Sequence, residues 1–326
     1  MAELLQEAEF LKPQDYAEFE SLYNDFKTRA YSEYRFELQP LDFDDFKTSV
    51  EQGLIKCIVL KENETPVSFL VYTTAISEAV ELNIIHNIGI ENRNKRVETL
   101  LKKFLELTKD ERKNRVVCYP MLGSQKELIS EVAKFGFRFI GIAVLRFFFE
   151  GTNSKDILKY MPPIEVEDCY KVVEWNPEYF EDAVSIVREA FENSSDSLFD
   201  PRFKTKEGVR DILSKITQDI YAEFLPEATA VILCNDIPVG FCFANVTGGR
   251  IANIPIVALS REHQGKGLSK FMLKFTLDKM IEWEEKGEKG LIEVNTCTET
   301  NNFQALKLYR HIGFKEDYNY PQAYLA

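Results

Sequence analysis

The chain has 326 residues, 45% of them hydrophobic and 29% charged, with a formal net charge of −13. That length suits two domains better than one, and an ordinary apolar share lets each half bury a core. No run of about 18 apolar residues occurs, so no membrane span is expected. The acidic balance repels phosphate backbones and speaks against nucleic acid as a partner, while it is compatible with a cationic amine. Met1 to Phe10 carries three glutamates and no basic residue, unlike a secretory signal, so a cytoplasmic location is expected.

In chain order, the first half reads as a strand at Ile55–Leu60, a polar turn at Asn63-Glu64-Thr65-Pro66-Val67 and a second strand at Ser68–Tyr72. Val97, Leu100, Leu101 and Phe104 follow the i, i+3, i+4, i+7 spacing of a helix. Phe135-Gly136-Phe137 closes a helix and opens a strand, with glycine as the left-handed cap. Gly151 to Pro163, with Thr152, Asn153, Ser154 and the Pro162-Pro163 pair, reads as a linker. The second half predicts helices at Pro177–Phe191 and Thr205–Asp219. Strands follow at Ala228–Cys234, Ile237–Val246 and Arg250–Leu259. Then come a helix at Leu268–Lys286, a strand at Leu291–Asn295 and a helix at Asn302–His311. Tyr318–Leu325 is left for a short last strand, unless the other domain supplies one.

The landmarks occur twice. Asn235-Asp236-Ile237-Pro238-Val239 repeats the first polar turn, Leu268, Phe271, Met272 and Phe275 repeat the helix, and Ile312-Gly313-Phe314 repeats the cap. All copies are offset by about 170 residues, so a whole domain is duplicated rather than a short repeat. The expected organisation is an α/β fold with a first domain at 1–150, a linker at 151–166 and a second domain at 167–326.

The six cysteines form no Cys-x-x-Cys pair, and no histidine completes a zinc pattern, so no metal is expected. They read as reduced strand residues, with Cys234 and Cys242 flanking a hairpin where they could face each other.

Two segments of the second copy carry chemistry. Val257 to Ser269 runs from an apolar strand through Gln264-Gly265-Lys266-Gly267 into an amphipathic helix. Glycines 265 and 267 permit positive φ and close approach to the backbone. Successive amides there can form an anion-binding nest suited to a diphosphate, reinforced by the helix N-terminus; alone, such a loop is more often only a turn into a helix. The second segment is Asn302-Phe303-Gln304-Ala305-Leu306-Lys307-Leu308-Tyr309, then Gly313-Phe314. Asn301 and Gln304 are spaced as a capping box. Asn302, Ala305 and Tyr309 share one helical face that Ala305 keeps low.

Together, in this order, the two segments resemble the GNAT superfamily of acetyltransferases. Gln264-Gly265-Lys266-Gly267-Leu268-Ser269 is similar to its acetyl-CoA loop, with serine at a last position usually glycine or alanine. Asn302-x-x-Ala305-x-x-Leu308-Tyr309 is similar to its later cofactor-contacting helix. The resemblance implies two tandem GNAT-like domains, each with a splayed mixed sheet flanked by helices. It implies that Val257, Ala258 and Leu259 hold the pantetheine arm and thioester on a splayed strand, where Pro255 suits the departure from pairing. Gln264, Gly265, Lys266, Gly267, Leu268 and Ser269 would hold the diphosphate, and Asn302 would contact pantetheine. Tyr309 would be the general acid. No acidic residue lies in Arg250 to Ser260, where the family often has its base, so Glu293 on the next strand is the candidate. His263 is expected to be exposed, and the loop Glu192 to Glu207 is expected to wall the acceptor.

The matching loop of the first copy, Arg93-Asn94-Lys95-Arg96-Val97-Glu98, has no glycine, and the position of Tyr309 falls on Val132. The first domain is therefore expected not to bind acetyl-CoA. The implied activity is acetyl-CoA-dependent N-acetyl transfer to a small amine, amino acid or peptide. The alternative is a non-catalytic CoA-binding protein that keeps the fold.

Overall fold

A computed structural model describes residues 7–32, 40–75, 78–121, 123–151, 154–247 and 250–326. The chain forms two compact units. Unit 1 is Met1–Ile140 with Tyr320–Ala326, and unit 2 is Gly141–Asn319. This corrects the expected boundaries at 150 and 167: each unit takes in a segment from the other sequence copy.

Unit 1 runs β1 (Glu9–Phe10), α1 (Tyr16–Ser32), α2 (Phe43–Glu51), β2 (Lys56–Glu62), β3 (Thr65–Thr73), β4 (Ala79–Asn87), α3 (Arg93–Leu107), β5 (Val116–Pro120) and α4 (Ile129–Ala133). Strands β1 to β5 lie side by side in chain order, antiparallel except for the parallel β4–β5 pair. Phe19, Tyr23, Phe26 and Phe46 from α1 and α2 pack on one core with Phe69. Val97, Leu100, Leu101 and Phe104 of α3 pack with Tyr72 and Tyr119 in a second core. Gln322–Leu325, from the end of the chain, pairs antiparallel with β5, and Ala323 is fully buried there.

Unit 2 runs from β6 (Arg138–Phe148), whose residues from Gly141 onward belong to it. It continues through α5 (Ser154–Lys159), β7 (Tyr170–Glu174), α6 (Phe180–Phe191), α7 (Asp196–Phe199) and α8 (Lys206–Thr217). Next come β8 (Glu223–Phe224), β9 (Ala230–Cys234), β10 (Ile237–Cys242), β11 (Asn245–Thr247), β12 (Ile251–Asn253) and β13 (Val257–Leu259). The rest is α9 (Leu268–Lys286), β14 (Glu293–Glu299), α10 (Phe303–Ile312) and β15 (Lys315–Leu325), whose residues from Tyr320 belong to unit 1. Its strands form two groups, β13-β10-β9-β7 and β6-β14-β12-β11-β8. The strand expected from elsewhere is β6, which pairs antiparallel with β14 over seven residues.

The duplicated hairpins have the same backbone. Asn63 and Glu64 have φ of 49° and 65°, and Asn235 and Asp236 have 49° and 66°. Two successive residues at positive φ match the right-handed twist of the flanking strands, as two-residue hairpins require. The two glycine caps are also reproduced, with φ of 85° at Gly136 and 115° at Gly313.

Four expectations are corrected. The linker contains α5, whose Leu158 is buried and whose Ser154 hydroxyl donates to Gly313 C=O at 2.9 Å, so it is part of the unit 2 core. Thr152 and Asn153 of that linker, like Met1 to Gln6, lie outside the described residues. Cys234 does not face Cys242, which is paired with Ala230; the Cys234 sulfur lies 3.4 Å from that of Cys169 on the neighbouring chain segment. The strands expected at Ile237–Val246 and Arg250–Leu259 are each broken in two. The Arg93–Glu98 loop of the first copy is already helix: α3 begins at Arg93, and Arg96 is buried and bidentate to Glu62 at 2.7 and 2.8 Å. No helix of the described residues is long and apolar enough to cross a membrane.

Candidate functional site

The site begins where two strands part. β12 runs parallel to β14 from Ile251 beside Glu293 to Asn253 beside Asn295. Ile254 N–H then donates to Asn295 C=O at 2.9 Å, and the Thr296 hydroxyl donates to Ile254 C=O at 3.0 Å. Pro255 follows, with no N–H to offer. From there the chain joins the other strand group: Ile256 C=O accepts from Phe243 N–H at 2.9 Å, and among the described residues β13 pairs only with β10.

That departure leaves one edge of β13 unpaired. Phe241 faces Ala258, and Ser260 N–H donates to Val239 C=O at 2.9 Å. In an antiparallel ladder the bonded pairs alternate with unbonded ones. Val257 and Leu259, facing Cys242 and Gly240, therefore turn their peptide groups away from β10 toward the open side. Leu259 C=O accepts from the Gln264 side chain at 3.1 Å, which ties the loop to the strand.

The loop itself is open. Gly265 and Gly267 both have φ of 78°, and a Cβ placed on either meets nothing within 4 Å. The amides of Gly265 to Ser269 hydrogen-bond to no described residue. They lie at the N-terminus of a 19-residue helix, α9, where backbone donors and the helix dipole favour an anion. The Lys266 ammonium is drawn aside, 3.1 Å from the Tyr170 hydroxyl and 3.5 Å from Glu167. His263 is half-buried rather than exposed, because the same Tyr170 hydroxyl lies 2.8 Å from its Nδ1.

α10 brings Tyr309 to the parting point. Leu306, Tyr309 and Ile312 form its buried stripe. The helix is capped by Asn302, not by the expected Asn301: Asn302 Oδ1 accepts from Ala305 N–H at 3.1 Å. The Tyr309 hydroxyl lies 3.5 Å from that of Thr296, whose own proton is committed to Ile254. Its ring meets Phe314 edge-on at 5.3 Å. Burial pushes the phenol up to about 12, so it keeps its proton at neutral pH.

Glu293 does not join this group. Side chains alternate along β14, so Glu293 is on the face opposite Thr296 and about 10 Å back along the strand. It is buried and ion-paired with Arg146, which also holds Asp317 at 2.9 Å. The structure thus shows the expected base held in an ion pair.

By the same alternation Glu299, three residues beyond Thr296, shares the face of Glu293, so strand position does not separate the two; what sets Glu299 and Asp196 apart is their environment. Burial raises the Asp196 carboxyl above its usual range. Burial first, and then the charge of Asp196, raises that of Glu299. Asp196 also contributes to the elevation of Tyr309, so the three groups share one electrostatic neighbourhood. Asp196 as a residue is exposed to solvent, while protein packed around its carboxylate disfavours the anion. It opens α7, inside the Glu192–Glu207 segment expected to wall the acceptor. Glu299 was missed because β14 runs four residues beyond the expected strand end.

The sheet thus parts beside Tyr309, and unengaged amides line the turn into α9. Residues 226–316, within unit 2, match the family model described as Acetyltransferase (GNAT) domain. Solved structures extend the likeness to nearly the whole chain. A GCN5-related N-acetyltransferase from Sphaerobacter thermophilus is 16% identical with a TM-score of 0.64, over 98% of this chain and 94% of its own. A tandem GNAT protein from the clavulanic acid biosynthesis pathway is 13% identical with a TM-score of 0.56, over 98% of each chain. The glucosamine N-acetyltransferase region of a fungal β-N-acetylglucosaminidase is 12% identical with a TM-score of 0.62, over 98% of this chain and 38% of that longer one. No curated protein sequence matches. The fold is thus that of tandem GNAT proteins, and it supports an acetyl-transfer function.

Proposed function

We propose that the protein transfers the acetyl group of acetyl-CoA to a primary amine of a small molecule, amino acid or peptide, and that unit 2 carries the reaction. The observation that carries the reading is the parting of β13 from β14 beside the Tyr309 hydroxyl, with the open edge of Val257 and Leu259 on the same strand as the amide-lined loop. The cradle fits the coenzyme: a glycine turn with free space, five unengaged amides and a helix N-terminus suit a diphosphate.

Acetyl-CoA would supply the activated acyl group. The amides of Gly265, Lys266, Gly267, Leu268 and Ser269 would hold its phosphates. Val257, Ala258 and Leu259 would align its arm, with N–H donors where oxygen charge develops. Asn302 has its oxygen committed to the helix cap, so only its amide NH₂ remains for contact. Tyr309 stays protonated and would give its proton to the departing thiolate. Asp196 and Glu299, rather than Glu293, would take the proton of the incoming ammonium. Both carboxyls are raised, Asp196 by burial and Glu299 by burial and then the charge of Asp196, which makes each a better proton acceptor than an ordinary carboxylate.

Unit 1 is proposed not to bind the coenzyme. The turn into α3 also has left-handed residues, Gly89 and Asn92 at φ of 69° and 55°, but the first turn of the helix carries Arg96 folded inward to Glu62 and to Ile88 C=O. A cytoplasmic setting is part of the proposal and agrees with six free cysteines.

The test is thiol release from acetyl-CoA by the full chain with a panel of primary amines. Release that depends on the amine supports the proposal. Coenzyme A binding without release for any amine replaces it with the non-catalytic CoA-binding alternative.

A further inference from the structure

We infer that unit 2 contains an acceptor subsite for a polyhydroxylated amine, built on a row of asparagine side chains beside the strand parting. This rests on the acetyl-transfer reading for its role, but the cavity stands on its own observations.

The cavity has a volume of about 300 Å³ and is lined by Asn245, Thr247, Asn253, Pro255, Arg202 and Tyr221, among others. Register places Asn245 of β11 opposite Asn253 of β12, and Asn253 beside Asn295 of β14. Residues in register share a face, so the three carboxamides are spaced about 4.8 Å apart across the strands; Asn245 and Asn253 line the cavity, and Asn295 stands next in the row outside its lining. The row ends one residue short of Ile254 and Thr296, where the strands part. Pro255 belongs both to that parting and to the cavity wall.

Asn245 is 3% exposed, and its Oδ1 is wholly buried with no hydrogen-bond partner. A buried oxygen left unpaired is destabilising, because it has given up water and received nothing in return. Facing a cavity, it calls for a donor from a ligand. A carboxamide both donates and accepts, and so does a hydroxyl. The strand spacing suits alternate hydroxyls of a six-membered ring.

Charge narrows the class further. Among the described residues the one cation lining the cavity is Arg202, and it is already neutralised. It donates to Asp200 at 2.6 and 2.8 Å and to Asp211 at 2.9 Å. Arg146, opposite Asn295 in register, is held by Glu293 and Asp317. An acceptor with a carboxylate or phosphate finds no free positive charge here. A neutral body with several hydroxyls, carrying one amine, does match.

The experiment is calorimetry on the full chain with coenzyme A present. The probes are the 2-aminohexoses of the gluco, galacto and manno series, cyclohexylamine as a ring without hydroxyls, and serine as a carboxylate-bearing amine. At least one aminohexose should bind roughly tenfold or more tighter than cyclohexylamine and serine, the effect of one or two hydrogen bonds. Asn245→Leu and Asn253→Ala should each weaken it roughly tenfold and leave coenzyme A affinity unchanged. Asn245→Leu replaces an unpaired oxygen by an apolar group of similar shape, so its melting temperature should be unchanged or higher. The less buried Asn253→Ala decides the matter if that variant does not fold. Cyclohexylamine or serine binding as tightly as the best aminohexose, or no probe binding at all, overturns the inference. Coenzyme A titrated without any amine tests the acetyl-transfer reading separately. Its failure with an aminohexose still bound would leave the subsite and remove the reaction.

Discussion

Tyr309 and Asp196 are moved in the same direction by the same cause: protein around them disfavours their anions. For Tyr309 this secures a proton to donate. Tyr309→Phe should lower turnover on the order of 10²–10⁴-fold with coenzyme A affinity retained; unchanged turnover would remove Tyr309 from the chemistry. For Asp196 the sign carries a stability consequence. The native state holds this proton more tightly than the unfolded chain, so stability falls as pH rises through the carboxylate range. Asp196→Asn should therefore melt at a higher temperature than the parent at pH 7, with the difference vanishing in acid. The same variant relieves the like charge on Glu299, so the acid limb of kcat/KM should move to lower pH as turnover drops. An acid limb left in place would separate Asp196 from the base.

At the scale of elements, the glycine loop and α9 were legible because local chemistry fixes both ends. Gly267 and Gly287 take φ of 78° and 68°, which only glycine adopts freely, and the helix spans Leu268–Lys286 as its spacing predicts. Gly267→Val would put a β-branched side chain at that φ and a Cβ into the cradle. Coenzyme A affinity should fall more than about tenfold, with a destabilisation of about 1–2 kcal/mol by chemical denaturation. An affinity within twofold of the parent would move the diphosphate elsewhere. In β4, His86 is wholly buried, hydrogen-bonded to Asp25 Oδ2 at 2.8 Å and packed on Phe26 and Phe69. Burial pushes its pKa down to about 4. Below its unfolded value near 6.5 the unfolded chain gains a proton that the native state refuses. Unit 1 should thus lose stability between about pH 6.5 and 4, and hydrogen exchange of β4 should accelerate in that window. Exchange of β4 independent of pH there, after correction for intrinsic rates, would contradict the assignment.

For the whole molecule, duplication in sequence did not become two self-contained domains in space. Unit 1 is completed by Gln322–Leu325 beside β5, and unit 2 by β6 beside β14. A cut near residue 160, between the sequence copies, therefore removes a sheet strand from each unit. Fragments 1–160 and 161–326 should each be poorly folded alone and should recover native circular dichroism on mixing. Two independently cooperative fragments that gain nothing from each other would refute this division. The exchange was hidden in the sequence because the apolar residues of β6 and β15 mark them as strands without marking which strand each lies beside.

The sequence alone determined the duplication, the hairpin turns, the α9 loop and the helix that carries Tyr309. Each follows from φ preferences and apolar periodicity within a few consecutive residues. Only the tertiary structure decided where the chain leaves the edge of β14 to join β10, and that Glu293 is bound to Arg146. Those outcomes depend on which distant strand occupies each edge, and hydrogen-bond competition between strands leaves no mark on the local pattern of either one.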